Sequence, residues 1–159
     1  MPKDLSYWKR EIRALNDRMA ERNEEISSKW TPIEQITWLI LQELVKVFGM
    51  HNISIMPQER IERYRVDFLI RYEPLHASGL IKNLVIECDG HEWHEKTKEQ
   101  AQKDKERDRA LTKLGYTVLR YTGSEIVDDP WKIYRDIEEL LLPNDVKRGF
   151  GYRPIDGEG

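Results

Sequence analysis

The sequence predicts an α/β fold, a sheet with helices packed on it, behind a long N-terminal helix. Three observations carry this expectation. The unbroken apolar run Leu84-Val85-Ile86 reads as a strand buried on both faces. Other short runs rich in β-branched and aromatic residues stand before it (53–56, 64–72) and after it (116–121). Between and around them, apolar residues recur at helical spacing in segments closed by Gly49 and Gly115.

Taken in order, residues 3–29 form a highly charged helix. Leu5, Trp8, Ile12, Leu15, Met19 and Ile26 recur three and four apart, with Arg22 interrupting the seam. This is a narrow stripe of the coiled-coil kind, shorter than the run that would specify one. It suits either an arm packed along its own domain or the contact of a homodimer. Thr31-Pro32-Ile33-Glu34 then opens a second helix: Thr as N-cap, Pro at the first helical position, and Glu completing a capping box. Ile33, Ile36, Ile40, Leu44, Val47 and Phe48 give it a wide apolar face.

Strands follow at 53–56, 64–72 and 80–89, with a loop holding Pro74 and Gly79 before the third. A helix over 96–114, a strand over 116–121 and a helix over 130–142 complete the order α-β-β-β-α-β-α. Trp131, Tyr134, Ile137, Leu140 and Leu141 of the last helix are expected to face inward. The divisions expected are a helical arm (1–30), one domain (31–143) and a flexible tail (144–159).

Composition narrows the function. The chain has 159 residues, 39% apolar and 35% charged, with a net charge of −3. There is thus no global basic field of the kind many nucleic-acid binders show, although carboxylates that hold cations make the formal charge more negative than the working one. Cys88 is the only cysteine, which excludes an internal disulfide. The apolar runs fall far short of the ~18–20 residues of a membrane helix. A soluble, cytoplasmic protein in a reducing compartment is expected.

The chemistry-bearing stretch is 84–94, LVIECDGHEWH, an apolar strand delivering Glu87, Asp89, His91, Glu92 and His94 at its carboxyl end. A buried carboxylate needs a partner, a metal or a raised pKa. In strand 64–72, Arg65, Asp67 and Leu69 share one face and Val66, Phe68 and Ile70 the other; Val85, Glu87 and Asp89 share a face of the next strand. If these strands are hairpin neighbours, Asp67 lies beside Glu87. Like charges across a pair are destabilising, so a cation is expected between them, and oxygen ligands suit Mg²⁺ or Mn²⁺.

Glu34 in a first helix, then Asp67, then Glu87-Cys88-Asp89, followed by helix, strand and helix, resembles the PD-(D/E)XK nuclease superfamily. More narrowly, DGHEWH followed by KDKERDRALTKLGYTVLRYTGSEI resembles the branch of the very-short-patch-repair (Vsr) endonucleases and their small relatives. The resemblance covers residues 31–142. It implies a restriction-endonuclease-like αβββαβ core with a mixed four-stranded sheet, and metal-dependent hydrolysis of nucleic-acid phosphodiesters. It also implies that Asp67, Glu87 and the Cys88 carbonyl hold the metal, with Glu34 acting through water or a second ion. His94 would be a proton donor or base near the phosphate, and Trp93 an aromatic wedge between bases. Asp89 stands where the superfamily has a lysine. Either Asp89 joins the metal shell, or Lys96, Lys98 or Lys103 from the following helix takes the lysine's electrostatic role. The Vsr zinc site is absent for want of cysteines, so mismatch specificity is not implied.

Plainer readings stand beside these. The capping box alone explains Glu34, and both roles can coexist. Asp67 and Glu87 could be ion-paired with Arg65, Arg120 or a lysine. Asp89 could simply begin a turn with Gly90. Cys88, His91 and His94 have a zinc-like spacing but no fourth soft ligand, and Cys88 points away from Glu87. In the helix after the motif, Ala101, Asp104, Asp108 and Leu111 fall on one stripe, with Asp108 placed to pair with Arg120. Its basic residues (Lys103, Lys105, Arg107, Arg109, Lys113) form either a solvated face or a phosphate contact. The function expected is a Mg²⁺- or Mn²⁺-dependent endonuclease acting on DNA. The alternatives are a non-catalytic nucleic-acid-binding or assembly module, and an RNase using the same site.

Overall fold

The computed structural model describes residues 4–49, 52–74, 80–90 and 97–142, the side chains at 8, 23, 26 and 27 excepted. Its helices are α1 (Leu5–Ser27), α2 (Pro32–Phe48), α3 (Lys98–Lys113), α4 (Gly123–Asp128) and α5 (Trp131–Leu141). Its strands are β1 (Ile53–Pro57), β2 (Arg60–Ile61), β3 (Tyr64–Arg65), β4 (Phe68–Tyr72), β5 (Lys82–Asp89) and β6 (Thr117–Thr122). Four strands form a mixed sheet in the order β1-β4-β5-β6, with the β1–β4 and β4–β5 pairs antiparallel and the β5–β6 pair parallel. The expected mixed α/β architecture is the one observed.

The capping chemistry at 31–34 does what the sequence suggested. The Glu34 carboxylate accepts from the Thr31 backbone N–H at 2.6 Å, and Gly49 closes the helix with φ +78°. The same device starts α3 at Thr97 and Gln100, and α4 at Thr122 and Glu125. Helices cover both faces of the sheet. On one side Leu41 and Leu44 of α2, Ile126 of α4 and Ile133, Tyr134 and Ile137 of α5 pack on Phe68, Ile70, Leu84 and Ile86. On the other, Leu111 of α3 packs with Ile61, Val66, Leu69 and Val85. The β5–α3–β6 crossover is what requires a helix on this second face.

Several expectations need correction. The strand expected over 64–72 breaks at residues 66 and 67. Its first part folds back as a two-stranded hairpin, β2 with β3, and only β4 joins the main sheet. Val66 consequently packs with Leu69 and Val85, not on the face of Phe68 and Ile70. Val47 and Leu140, expected to face inward, are exposed, while Leu41 and Ile133 take the buried positions. The short α4 was not expected as a helix. On α1, Leu5 is 70% and Ile12 58% exposed.

Candidate active site

The β4–β5 register sets Phe68 opposite Ile86 and Leu69 opposite Val85. One step further along the same register, Asp67 meets Glu87 at the carboxyl end of β5. The Asp67 carboxylate accepts from the Cys88 backbone N–H at 2.7 Å. It also lies within hydrogen-bonding reach of the Glu87 carboxyl and in the field of Glu34. Asp67 is half-buried and Glu87 buried.

These neighbours set the protonation. Burial pushes Glu87 up to about 8, with the adjacent Asp67 charge adding to the rise and the Arg107 guanidinium opposing it. Burial also raises Asp67, helped by Glu34 and resisted by the Cys88 N–H. Both shifts favour a proton retained between the two carboxylates, and Glu87 is the more deeply buried of the two. Glu34 lies lower than usual: its partial burial is outweighed by bonds from Thr31 and Gln58.

Arg107 of α3 is the residue that sequence reasoning missed. Its Nη2 donates to Glu87 Oε1 at 2.5 Å and to the Arg65 carbonyl. Its Nε is buried with no hydrogen-bond partner among the described residues. The signal was present: Arg107 lies four residues before Leu111, the buried anchor of α3, and so on the inward edge of the helix. Of the arginines considered as partners for Glu87, Arg65 offers its backbone carbonyl to Arg107. Arg120 stands opposite Glu87 on β6 and its charge favours the ionised Glu87, while its guanidinium bonds Asp108 at 2.8 Å, the pairing expected for that acid. Lys98 and Lys103 are exposed on α3, with Lys103 one turn before Arg107.

Gln58 is a second residue the sequence did not mark. Its backbone N–H donates to the Asp67 carbonyl at 2.7 Å, and its side-chain amide donates to Glu34 Oε1 at 3.0 Å. It does so from a left-handed conformation, φ +53°, which is uncommon for a residue with a Cβ. The Glu34 carboxylate thus caps α2 and also ties that helix end to the Asp67 bend.

Cys88 faces α2, and its thiol donates to Thr37 Oγ1 at 3.3 Å. Burial pushes that thiol up to about 12, so it is no thiolate ligand near neutrality. Asp89 is half-buried in register with Thr122, on the Glu87 face of β5. His91, Trp93, His94 and Lys96 lie outside the described residues.

The donors that face one another are oxygens. Among the described residues no cluster of three or more His, Cys, Asp or Glu is placed to hold a metal ion. Mg²⁺ does not require one, since it keeps several waters and is commonly bound through one or two carboxylates. Asp67 and Glu87 fit that demand, because a divalent cation relieves the same repulsion that the retained proton now relieves.

A mixed sheet flanked by helices, with paired carboxylates where β4 meets the end of β5, defines a restriction endonuclease-like protein. The chain matches the family model REase_MTES_1575, a restriction endonuclease-like family, over residues 40–141, and it belongs to that family. Asp67, Glu87 and Arg107 lie inside the match, and Glu34 lies before it. A Haemophilus influenzae protein named "Uncharacterized protein" is 34% identical over 137 residues, 84% of this chain and 76% of that protein. No solved structure matches the chain. No helix among the described residues is long and apolar enough to cross a membrane.

Proposed function

We propose that the protein is an endonuclease that hydrolyses DNA phosphodiester bonds with Mg²⁺ or Mn²⁺. The observation that carries this reading is the Asp67–Glu87 pair, two carboxylates at a sheet end that share a proton near neutral pH. Asp67, Glu87 and the Cys88 carbonyl would hold the cation. When bound, the cation supplies a Lewis acid for the scissile phosphate and lowers the pKa of water.

The chain's own residues supply the rest. The Cys88 N–H fixes the Asp67 carboxylate, and the Gln58 N–H fixes the Asp67 backbone, so the ligand is held before substrate arrives. Arg107 takes the electrostatic role left by the missing lysine. With Glu87 engaged as a ligand, the Arg107 guanidinium would be available to a phosphate oxygen, with its buried Nε as a further donor. Glu34 orients water from the cap of α2. From the Vsr likeness this reading takes two roles only, His94 as proton donor to the leaving oxygen and Trp93 as a base-stacking wedge. Lys96, Lys98 and Lys103 would contact the nucleic-acid backbone. Asp89 remains a candidate ligand on the face of Glu87.

One observation favours a second reading. The Arg107–Glu87 ion pair already compensates the buried charge, as it would in a nucleic-acid-binding module without catalysis. Incubation of supercoiled plasmid, linear single-stranded DNA and RNA with the protein, with and without Mg²⁺ or Mn²⁺, decides among the readings. Metal-dependent DNA cleavage that Asp67→Ala abolishes, with the circular-dichroism spectrum retained, is the expected result. Cleavage by Asp67→Ala at the wild-type rate would sink this active site. Cleavage of RNA alone would reassign the substrate, and binding without cleavage under every metal condition would favour the module.

A further inference from the structure

We infer that Arg60 and Arg65 of the β2–β3 hairpin clamp a backbone phosphate of the nucleic acid beside the carboxylate pair, an inference that rests on the substrate proposed above. In the hairpin Arg60 stands directly opposite Arg65, and Ile61 opposite Tyr64. The Val66 N–H donates to the Glu59 carbonyl at 2.8 Å, so by the alternation of an antiparallel ladder the next rung, Arg60 with Arg65, is the non-hydrogen-bonded kind. Side chains stand closest at such a rung, and like charges set across it are destabilising. The same alternation fixes the faces. Ile61 and Val66 are buried against Leu69, Val85 and Leu111, so Arg60 and Arg65 stand on the opposite face, and both are exposed. Among the described residues neither guanidinium has a hydrogen bond or an ion pair.

The acids of this region are placed elsewhere. Glu59 shares the inward face with Val66, and the charges of Glu62 and Glu106 bear on Arg63. Arg63 itself lies over the Tyr64 ring and donates to its hydroxyl at 2.8 Å. Two arginines held side by side at the surface favour an anion, and the guanidinium fork suits a phosphate, to which it donates two parallel bonds. Position selects the phosphate. Arg65 is two residues from Asp67, at most about 7 Å along the chain. The hairpin is also tied to the site twice: the Gln58 N–H donates to the Asp67 carbonyl at 2.7 Å, and the Arg65 carbonyl receives Arg107, which holds Glu87. A strand rises about 3.4 Å per nucleotide, so a phosphate on the clamp lies within a few nucleotides of one at the carboxylates. With a net charge of −3 the chain has no general basic field, and attraction for the backbone has to come from such local cations.

Fluorescence anisotropy of a labelled short DNA duplex, titrated with the full chain in EDTA over a salt series, tests this. Each phosphate contact contributes about −0.9 to the slope of log K against log salt. Arg60→Gln and Arg65→Gln should therefore each bind about eightfold more weakly at about 0.1 M salt, and the double variant about 60-fold, with a slope shallower by about 1.8. Arg71→Gln removes an exposed arginine near the other end of β4 and should bind as wild type does. Arg65→Glu sets opposite charges across the rung, so it should raise Tm by about 1–3 °C while binding more weakly than Arg65→Gln. A double variant with wild-type affinity and slope overturns the proposal, as does a wild type that does not bind the duplex at about 0.05 M salt. Equal losses in Arg71→Gln and Arg60→Gln overturn it too, by reducing the effect to net charge. Because EDTA silences cleavage, the two readings fail separately. Binding lost in the variants of a protein that never cuts keeps the clamp and removes the nuclease, and unchanged binding in a protein that cuts does the reverse.

Discussion

Glu87→Gln separates a metal site from a structural ion pair, because the two readings predict opposite signs. Glu87 is buried, and its carboxyl is raised from 4.5 to about 8. A raised carboxyl lends the folded state stability that is complete below pH 4.5 and is lost as pH climbs through 8, because the native form binds the proton more tightly. At 1.36 kcal/mol per pH unit, the rise corresponds to about 5 kcal/mol of native stability lost by pH 9. Gln carries no such loss. It keeps an oxygen acceptor for Arg107, whose attraction to the ionised carboxylate is already included in that rise. At pH 9 without metal, Glu87→Gln should therefore be more stable than wild type by about 5 kcal/mol. That raises Tm by about 10–20 °C for a chain of this size. At pH 4 the difference should vanish. With Mn²⁺ at about 100 times Kd, wild type should gain about 2.7 kcal/mol, and the variant much less. The assay is thermal melting across pH 4–9 with EDTA and with Mn²⁺. A Glu87→Gln variant destabilised by about 3–5 kcal/mol at pH 9 would refute the reasoning, because that is the signature of a stranded Arg107 from a structural pair.

Two other substitutions probe the same site. Arg107→Ala should lower single-turnover cleavage by about 10²–10³-fold while Mn²⁺ still raises Tm, and Arg107→Lys should recover part of the rate; an unchanged rate would return Arg107 to a structural role. Glu34→Gln keeps a capping-box acceptor and should leave Tm within about 2 °C, whereas Glu34→Ala loses about 1 kcal/mol of cap. If Glu34 works in the reaction as well, Glu34→Gln lowers cleavage at unchanged Tm, and equal rates would confine it to the cap.

Local signals made the fold legible, and non-local geometry hid the rest. Thr31, Pro32 and Glu34 announced α2, because a helix start is decided within four residues. Asp67 and Glu87 stood out because carboxylates interrupt apolar runs. The helix α4 could have been read from Thr122 and Glu125, another capping box, but its six residues show no apolar period. Arg107 was read as one basic residue among five on α3. Its spacing from Leu111 puts it on the inward edge of the helix, but only the β5–α3–β6 crossover sets that edge against Glu87. Gln58 gave no signal, because its role rests on a left-handed backbone that its residue type does not favour.

The break at residues 66 and 67, which alternation alone reads straight through, makes the site. Were β4 to begin earlier in the same register, Val66 would lie opposite Cys88, and the Cys88 N–H would face backbone. Instead the chain bends, the Val66 N–H turns to the Glu59 carbonyl at 2.8 Å, and the Cys88 N–H bonds the Asp67 carboxylate. A side-chain oxygen has taken over part of the ladder's work. The bend also releases the hairpin whose Arg65 carbonyl receives Arg107, and it gives Gln58 the Asp67 carbonyl as a partner. One interruption of pairing therefore fixes Asp67 by both its backbone and its side chain, and seats the cation that balances Glu87. An uninterrupted strand would be more regular, but it would leave the Asp67 carboxylate unanchored and Arg107 without its second acceptor.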